Sequence, residues 1–413
     1  MKIQFTISTL LLLLCVTAQA QEAVRASIVG ERAAAARKRA RSDRGDNYNL
    51  DLDPVKLRFN ASISGEYNDN VNLDNNTRLD DFILRPMTGI NAFWQVTEQN
   101  ALDFTINLGY EHYFNRSRNS RVLITGDENS GVHFDIYAGN FLINLHETFV
   151  LSQDSSSEAT GSGIANIFRF ENTLGTTVTW DLQALLVDFN FDHKSYIPLD
   201  SIYKRLKHSS ELGSIRISGQ LNPAVTAGIQ FGGGTTTYPD PQLSDNRHVS
   251  IGPFITYKPG ESFDLRASVG YANYWFDPSA FITNSASQTG LYVDAAISQE
   301  ISPRISHTVN IGQSLSSDVN SAPIRLIYVR YTARLNIIEQ WTFSPYVNFE
   351  SGSETRNVTP EDLTRYGAGL TATRQLTEKL SGSIGYHWLT KSSSVSTFGY
   401  DQNRLVLNLF YQF

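Results

Sequence analysis

Histidine is the side chain best suited to acid–base chemistry near neutral pH, and this sequence gives it no recognisable catalytic motif. The chain has 8 histidines, which are scattered, and it contains neither an HExxH nor a GxSxG motif. His133 and Asp135 lie two residues apart, which would place them on one face of a strand, but any alternating strand produces such pairs. We therefore predict no catalytic residue, and a hydrolase that uses His133 or His193 is kept as an alternative.

An oxygen-rich segment runs from Asn68 to Asp81 and includes Asp69, Asp74 and Asp80. Calcium prefers such oxygen ligands, but the glycine and terminal glutamate of an EF-hand loop are missing. Solvated turns have the same composition, so no metal site is predicted. The only cysteine is Cys15, and no segment indicates a cofactor.

Charged residues at alternating positions form a third group that could act on a solute. The acids are Glu66, Asp103 and Glu111, and the bases are Arg58, Arg85, Arg266, Arg330, Arg334 and Arg404. Together with the other charged residues on the same faces, the two signs are nearly balanced. Such a lining would not select strongly for anions or cations and would suit neutral or mixed solutes such as sugars. These residues form one surface only if the elements that carry them surround a common space.

Those elements are predicted to be strands, because apolar residues recur at every second position from Leu57 to the chain end. Leu57, Phe59, Ala61 and Ile63 share one face of the first strand, and the other face of each strand is polar. About eighteen such segments follow one another. After the first twenty residues there is no apolar run of the roughly 20 residues that a membrane-spanning helix requires.

The links between these strands are alternately short and long. Lys258 to Glu261 is a short link, whereas Asn68 to Asp80, Asn115 to Ser130 and Lys194 to Lys207 are long ones. Transmembrane β-barrels show this asymmetry between tight turns and longer loops. We therefore predict an all-β fold, a single transmembrane antiparallel up-and-down β-barrel. No loop much exceeds about fifteen residues, so one long inward-folded loop is not expected.

The N-terminal part differs in composition. Lys2, the apolar stretch from Ile7 to Val16 and Ala18-Gln19-Ala20 predict a signal peptide over residues 1–20. Residues 21–54 are predicted to form a basic Ala/Arg-rich periplasmic helix and a linker, because alanines and straight-chain bases favour helix. This helix either is a solvated tail or contacts an acidic surface such as the barrel interior. Residues 55–413 are predicted to form the barrel.

The last strand carries apolar residues on one face up to the final position. Leu407, Leu409, Tyr411 and Phe413 resemble the C-terminal signature by which outer-membrane barrels are recognised by the barrel-assembly machinery. An even number of strands would place both termini on the periplasmic side.

The start of the barrel resembles the β-barrel porin 2 family of bacterial outer-membrane proteins. The resemblance rests on Ser64 to Val71, on Asp80-Asp81-Phe82-Ile83 and on Pro86. Some members of that family are encoded with exopolysaccharide synthesis and export genes. The resemblance implies a pore or export barrel, without an established set of functional residues.

We therefore expect an outer-membrane, porin-like channel for polar solutes, saccharides or exopolysaccharide among them. Its expected partners are outer-membrane lipid, the assembly machinery and the solute. A net charge of −7 gives no support for nucleic-acid binding. A structural barrel that transports nothing and a hydrolase at the barrel rim are the alternatives.

Overall fold

A computed structural model describes residues 48–125, 131–153, 167–280, 286–317, 321–355 and 360–413. The predicted signal peptide and basic helix, residues 1–44, lie outside the described residues. Among the residues that are described, no helix is both long and apolar enough to cross a membrane.

The described chain is built from antiparallel strands. In chain order they are β1 (Leu50–Leu52), β2 (Val55–Asn68), β3 (Asp81–Gln95), β4 (Ala101–Tyr113), β5 (Arg121–Thr125), β6 (Gly131–Ala138), β7 (Phe141–Ser152), β8 (Arg169–Asp181), β9 (Leu185–Pro198), β10 (His208–Asn222), β11 (Val225–Thr237), β12 (Asn246–Gly260), β13 (Phe263–Phe276), β14 (Ala286–Ser302), β15 (Ile305–Ser317), β16 (Pro323–Ile338), β17 (Trp341–Glu354), β18 (Glu361–Gln375), β19 (Leu380–Ser393) and β20 (Tyr400–Gln412). Two 3₁₀ turns, Ser117–Asn119 and Ser201–Leu206, lie in the connections.

The sheet closes on itself because β2 pairs with both β3 and β20. The β2–β20 register runs from Asn60 opposite Gln412 to Asn68 opposite Arg404. β5 and β6 both pair with β4 and form one interrupted strand of the wall, whereas β1 pairs with β2 beyond the end of β20. The fold is therefore a closed antiparallel β-barrel of eighteen strands, as the sequence predicts.

Alternation along each strand separates an apolar exterior from a polar interior. On β20, Leu405, Leu407 and Leu409 are exposed on the outside, whereas Tyr400 and Gln402, at even-numbered positions of the same strand, are buried on the inside. A closed sheet leaves no unpaired edge, which is the condition for spanning lipid with strands. The apolar exterior and the closure together explain why this sequence forms a transmembrane barrel.

Two glycines let an aromatic ring lie flat on the inner wall. A Cβ at Gly252 would come within 2.5 Å of the Tyr292 hydroxyl, and one at Gly270 within 2.4 Å of its ring. The Tyr292 hydroxyl accepts a hydrogen bond from Gln230 Nε2 at 3.2 Å, and Gln230 lies on β11 directly opposite Gly252. The Tyr292 side chain from β14 thus occupies the space that a larger residue at Gly252 or Gly270 would need.

One end of the barrel carries the short turns and the other carries the long loops; we call them the turn end and the loop end. Several loops meet at the loop end: Ser244 N donates to Ser321 Oγ and Ser244 Oγ to Ser279 Oγ, both at 2.7 Å. Ile167, Leu206 and Leu243 pack there in a buried cluster. The loops at this end therefore contact one another.

Three segments differ from the sequence-based boundaries. The predicted long link from Asn115 to Ser130 contains strand β5, which pairs with the upper half of β4. The weakly patterned region from Lys204 to Gln220 contains most of β10, in which Glu211, Gly213 and Gly219 interrupt the apolar outer face. The stretch from Asn47 to Pro54, interpreted as a linker, includes the three-residue strand β1.

Candidate functional site

The first charged cluster on the inner wall joins three residues that were singled out in the sequence. Arg85 on β3 contacts Glu66 on β2 through Nη1 and Oε2 at 2.7 Å, and Glu111 on β4 through Nε and Oε1 at 2.5 Å. Gln153 also donates to Glu111. One guanidinium therefore lies between two carboxylates, which leaves this part of the wall with a net negative charge.

A second cluster surrounds Glu350 on β17. Arg330 on β16 contacts its Oε1 at 2.9 Å, and Arg365 on β18 contacts its Oε2 at 2.5 Å. Lys391 on β19 contacts Glu361 at 2.8 Å nearby. Of these residues only Arg330 is in the predicted set. The others lie where both faces of the strands are polar, so alternation alone does not indicate which face is internal.

The remaining predicted residues are distributed around the wall. Arg58 donates to Gln412 at 3.0 Å, and Arg266 contacts Asp264 of its own strand at 3.3 Å. Asp103 is in register with His133, Arg334 with Ser306 and Arg404 with His387. The structure thus brings Glu66, Arg85 and Glu111 together and distributes the other predicted residues over β2, β4, β13, β16 and β20.

A group of carboxylates lies on the inner side of β6 to β9. Asn144 donates to Asp135 at 2.6 Å, Thr179 to Asp188 at 2.7 Å, and Asn190 to Asp192 at 3.1 Å. His146 Nε2 is 2.9 Å from Asp192 Oδ1. These hydrogen bonds orient the carboxylates on the inner wall. We call Asp135, Asp188 and Asp192 the acidic wall.

The oxygen-rich segment before β3 uses its carboxylates for loop structure. Asp69 accepts from the backbone N and from Nδ2 of Asn403, both at 2.7 Å. The Thr77 hydroxyl donates to Asp74 and thereby holds the pKa of that carboxyl below its ordinary value. Among the described residues no group of three or more His, Cys, Asp or Glu side chains could hold a metal ion.

The residues predicted as the assembly signal lie on the exterior at the turn end. Leu407, Leu409, Tyr411 and Phe413 are all exposed. Their spacing follows from the alternation of β20, whose intervening residues face inwards. Phe413 N donates to Phe59 O at 3.3 Å, which places the C-terminus beside the start of β2.

Solved structures with a similar fold are outer-membrane channel proteins of Pseudomonas aeruginosa. OccK5 (OpdH) is 11% identical, with 88% of this chain and 99% of that chain covered and a TM-score of 0.51. OccK2 (OpdF) in complex with glucuronate is 11% identical, with 89% and 100% covered and a TM-score of 0.51. OpdK with vanillate is 11% identical, with 86% and 99% covered and a TM-score of 0.50.

At the level of sequence, no family model matches the chain and no curated protein is similar to it. The structural similarity therefore shows that this protein shares its barrel fold with these channel proteins.

Proposed function

We propose that this protein is an outer-membrane channel for small polar solutes, with saccharides or exopolysaccharide as its solute class. The observation that carries this proposal is the contrast between the two faces of one closed wall. Apolar side chains cover the outside, whereas charged and amide groups line the inside. A barrel of this size can enclose an aqueous passage, and its polar lining would replace part of the hydration of a solute.

The distribution of charge supports solutes that are neutral or carry both signs. Glu66, Arg85 and Glu111 are linked by ion pairs, and so are Arg330, Glu350 and Arg365. The known complexes of similar barrels contain small carboxylates, glucuronate among them, which is a sugar acid. The extension from sugar acids to neutral saccharides rests on the near balance of lining charges in this chain.

Liposome swelling tests the proposal with a graded series of solutes. Proteoliposomes that contain the full-length mature chain should swell in monosaccharides and disaccharides and should swell more slowly as the sugar becomes larger. Empty liposomes and liposomes with a denatured sample are the controls. If none of the sugars enters, the barrel is a sealed structural element of the envelope and the channel proposal is wrong.

We also propose that the barrel lies with its turn end in the periplasm and is inserted by the barrel-assembly machinery. β2 begins at the turn end and β20 finishes there, as an even number of strands requires. The exposed residues from Leu407 to Phe413 would be the segment that the machinery binds. Replacing Phe413 with Ala should slow insertion in cells, measured as heat-modifiable folded barrel, and an unchanged rate would contradict this.

The basic segment that precedes the barrel is proposed to contact the acidic wall from the turn end. Tyr48, the first described residue, stacks on the buried Phe93 with ring centroids 6.0 Å apart, and Phe93 is in register with Asp103. Residues 22–44 contain seven bases and three acids, which complements Asp135, Asp188 and Asp192. Tyr48 therefore lies against the interior surface of the wall beside β3 and β4. β4 pairs with β6, which carries Asp135 of the acidic wall.

Deletion of residues 22–44 tests this contact. Single-channel conductance should rise by about twofold, because a helix about 10 Å across would displace electrolyte from the passage. Exchange of Arg37, Lys38, Arg39 and Arg41 for Gln is the matched variant, since it keeps the length and removes the charge. Equal conductance of all three proteins would contradict the contact and leave the channel proposal intact.

A further inference from the structure

Three side chains form a hydrogen-bonded series on the exterior of β9 and β10. His193 Nδ1 lies 2.6 Å from Glu211 Oε1, and His193 Nε2 lies 3.1 Å from Ser195 Oγ. Ser195 and His193 are two residues apart and therefore share one face of β9. Glu211 is directly opposite His193 on β10, so the strand register supplies the acid.

This face is the outer one and is accessible. Phe189 and Phe191 on the same face are exposed, whereas Asp188, Asn190 and Asp192 on the opposite face are buried. The side chains of His193 and Glu211 are 40% and 48% exposed. The series lies near the loop end, where the apolar exterior changes to polar residues, so it is positioned at the boundary between lipid and water.

The order of the three groups is that of a serine nucleophile with its base and acid. A carboxylate that accepts from Nδ1–H fixes the imidazole tautomer in which Nε2 can take a proton from the serine hydroxyl. An ion pair that only stabilised the wall would require His193 and Glu211. It would not require a hydroxyl group within hydrogen-bond distance of His193 Nε2. The position of Ser195 is therefore the feature that indicates chemistry.

An apolar groove of about 450 Å³ lies next to the series on the same outer face. Its side chains include Val178, Phe189, Phe191, Ile215 and Phe231, and Gly213 forms its floor. A Cβ at Gly213 would have its nearest neighbour, Asn190 O, at 4.0 Å, so the groove is open there. Phe191 and Gly213 each lie two residues from His193 and Glu211 along their strands, which is about 7 Å.

The groove opens onto the lipid-facing surface, and we take an acyl chain as its occupant for that reason. A donor for a developing oxyanion also lies next to Ser195. Asn172 on β8 is in register with Ser195, and its Nδ2 donates to Glu147 Oε1 at 2.8 Å. The amide carries two N–H groups, and its second contact, from Nδ2 to Thr148 O, is long at 3.5 Å. A substrate oxygen could replace Thr148 O as the acceptor while Asn172 still holds Glu147.

We propose that Ser195, His193 and Glu211 form an esterase site for a lipid or other long-chain carboxylic ester at the barrel exterior. Ser195 Oγ attacks the ester carbonyl carbon while His193 Nε2 takes the hydroxyl proton. The tetrahedral intermediate collapses, the bond to the alcohol oxygen breaks, and His193 returns the proton to the departing alcohol. Water, deprotonated by His193, then attacks the acyl-Ser195 ester, releases the fatty acid and regenerates the serine.

The first test measures hydrolysis of p-nitrophenyl palmitate by the purified full-length mature chain in detergent micelles. Ser195→Ala and His193→Gln should each lower the rate by about 10²-fold or more. Ser209→Ala is the matched control, because Ser209 lies opposite Ser195 on the same outer face and approaches Thr237 Oγ1 at 3.4 Å. Its rate should equal that of the unchanged protein.

A second measurement separates a nucleophile from a structural hydroxyl. A fluorophosphonate probe should form one covalent adduct, located at Ser195 by mass spectrometry and missing in the Ser195→Ala variant. The proposal is wrong if the unchanged protein does not hydrolyse the ester, if Ser195→Ala is as active as the control, or if the adduct forms elsewhere. Sugar uptake by proteoliposomes is independent of this result, so failure of one proposal is distinguishable from failure of the other.

Chain-length preference tests the groove. Gly213→Leu would fill its floor from the outside without meeting a close backbone neighbour. The variant should lose most of its activity towards p-nitrophenyl palmitate and retain its activity towards p-nitrophenyl butyrate, which does not need the groove. An equal effect on both esters would show that the acyl chain does not occupy it.

Discussion

The two faces of β9 show how one strand serves two environments. Its inner face carries Asp188, Asn190 and Asp192, which are buried and hydrogen-bonded to neighbouring strands. Its outer face begins with Phe189 and Phe191 and continues with His193 and Ser195. Buried polar groups are oriented by fixed partners, whereas the exposed series at the loop end has room for a substrate. Position along the strand, and not composition alone, therefore separates structural polar groups from reactive ones.

The same comparison holds for two glutamates with different surroundings. Glu350 is buried on the inner wall between Arg330 and Arg365, whereas Glu211 is exposed on the outside and contacts His193. Removing one partner of a buried ion pair leaves a charge without compensation, which costs about 3–5 kcal/mol. Changes at an exposed position away from such features cost roughly 0.5 kcal/mol or less.

The largest expected effect is therefore that of Glu350→Gln on stability. The free energy of unfolding in detergent, measured by urea denaturation with tryptophan fluorescence, should fall by about 3–5 kcal/mol, since Arg365 and Arg330 lose their carboxylate. Glu211→Gln is the matched control and should leave stability within about 0.5 kcal/mol. Equal losses in the two variants would remove the distinction between the inner and the outer glutamate.

A second prediction compares arginines on the two faces. Arg85→Gln leaves Glu66 and Glu111 without their shared cation, so the channel should become more selective for cations. At roughly 1 kcal/mol of interaction in water, relative permeability would change by a factor of about five. The effect should decrease at 1 M salt, where the Debye length is about 3 Å.

Arg247 provides the control for that experiment, because its guanidinium lies over the exterior Trp275 ring, with 6.0 Å to the ring centroid. Arg247→Gln should leave the reversal potential in a salt gradient unchanged. A shift of similar size in both variants would mean that Arg85 does not act on ions within the passage.

Much of the fold could be predicted from the sequence, because period-two alternation and the regular exchange of short and long links are both local signals. β5 was missed, since Arg121–Thr125 is short and lies in a segment that otherwise has the composition of a loop. β10 gave a weak pattern, because Glu211, Gly213 and Gly219 replace apolar residues on its outer face. The final strand could be located from its alternating apolar residues alone, without information about its neighbours in the fold.

The candidate sites depended on information that alternation does not contain. The Arg85 cluster joins three consecutive strands, and its members could be chosen because each lies on a clearly polar face. The Glu211–His193 contact spans 18 residues and depends on the length of the connection between β9 and β10. No sequence motif marks such a contact, so a search for HExxH or GxSxG could not have found it.

The most direct test of the account measures which solvent each face of β20 contacts. The only cysteine of the chain is Cys15, in the predicted signal peptide, so single cysteines can be introduced into the mature chain for spin labelling. In lipid vesicles, labels at Leu405, Leu407 and Leu409 should collide mainly with oxygen, and labels at Arg404, Val406 and Asn408 mainly with a water-soluble nickel chelate. A profile without this alternation, or with the two sets exchanged, would contradict a barrel whose apolar face meets lipid and whose polar face meets water.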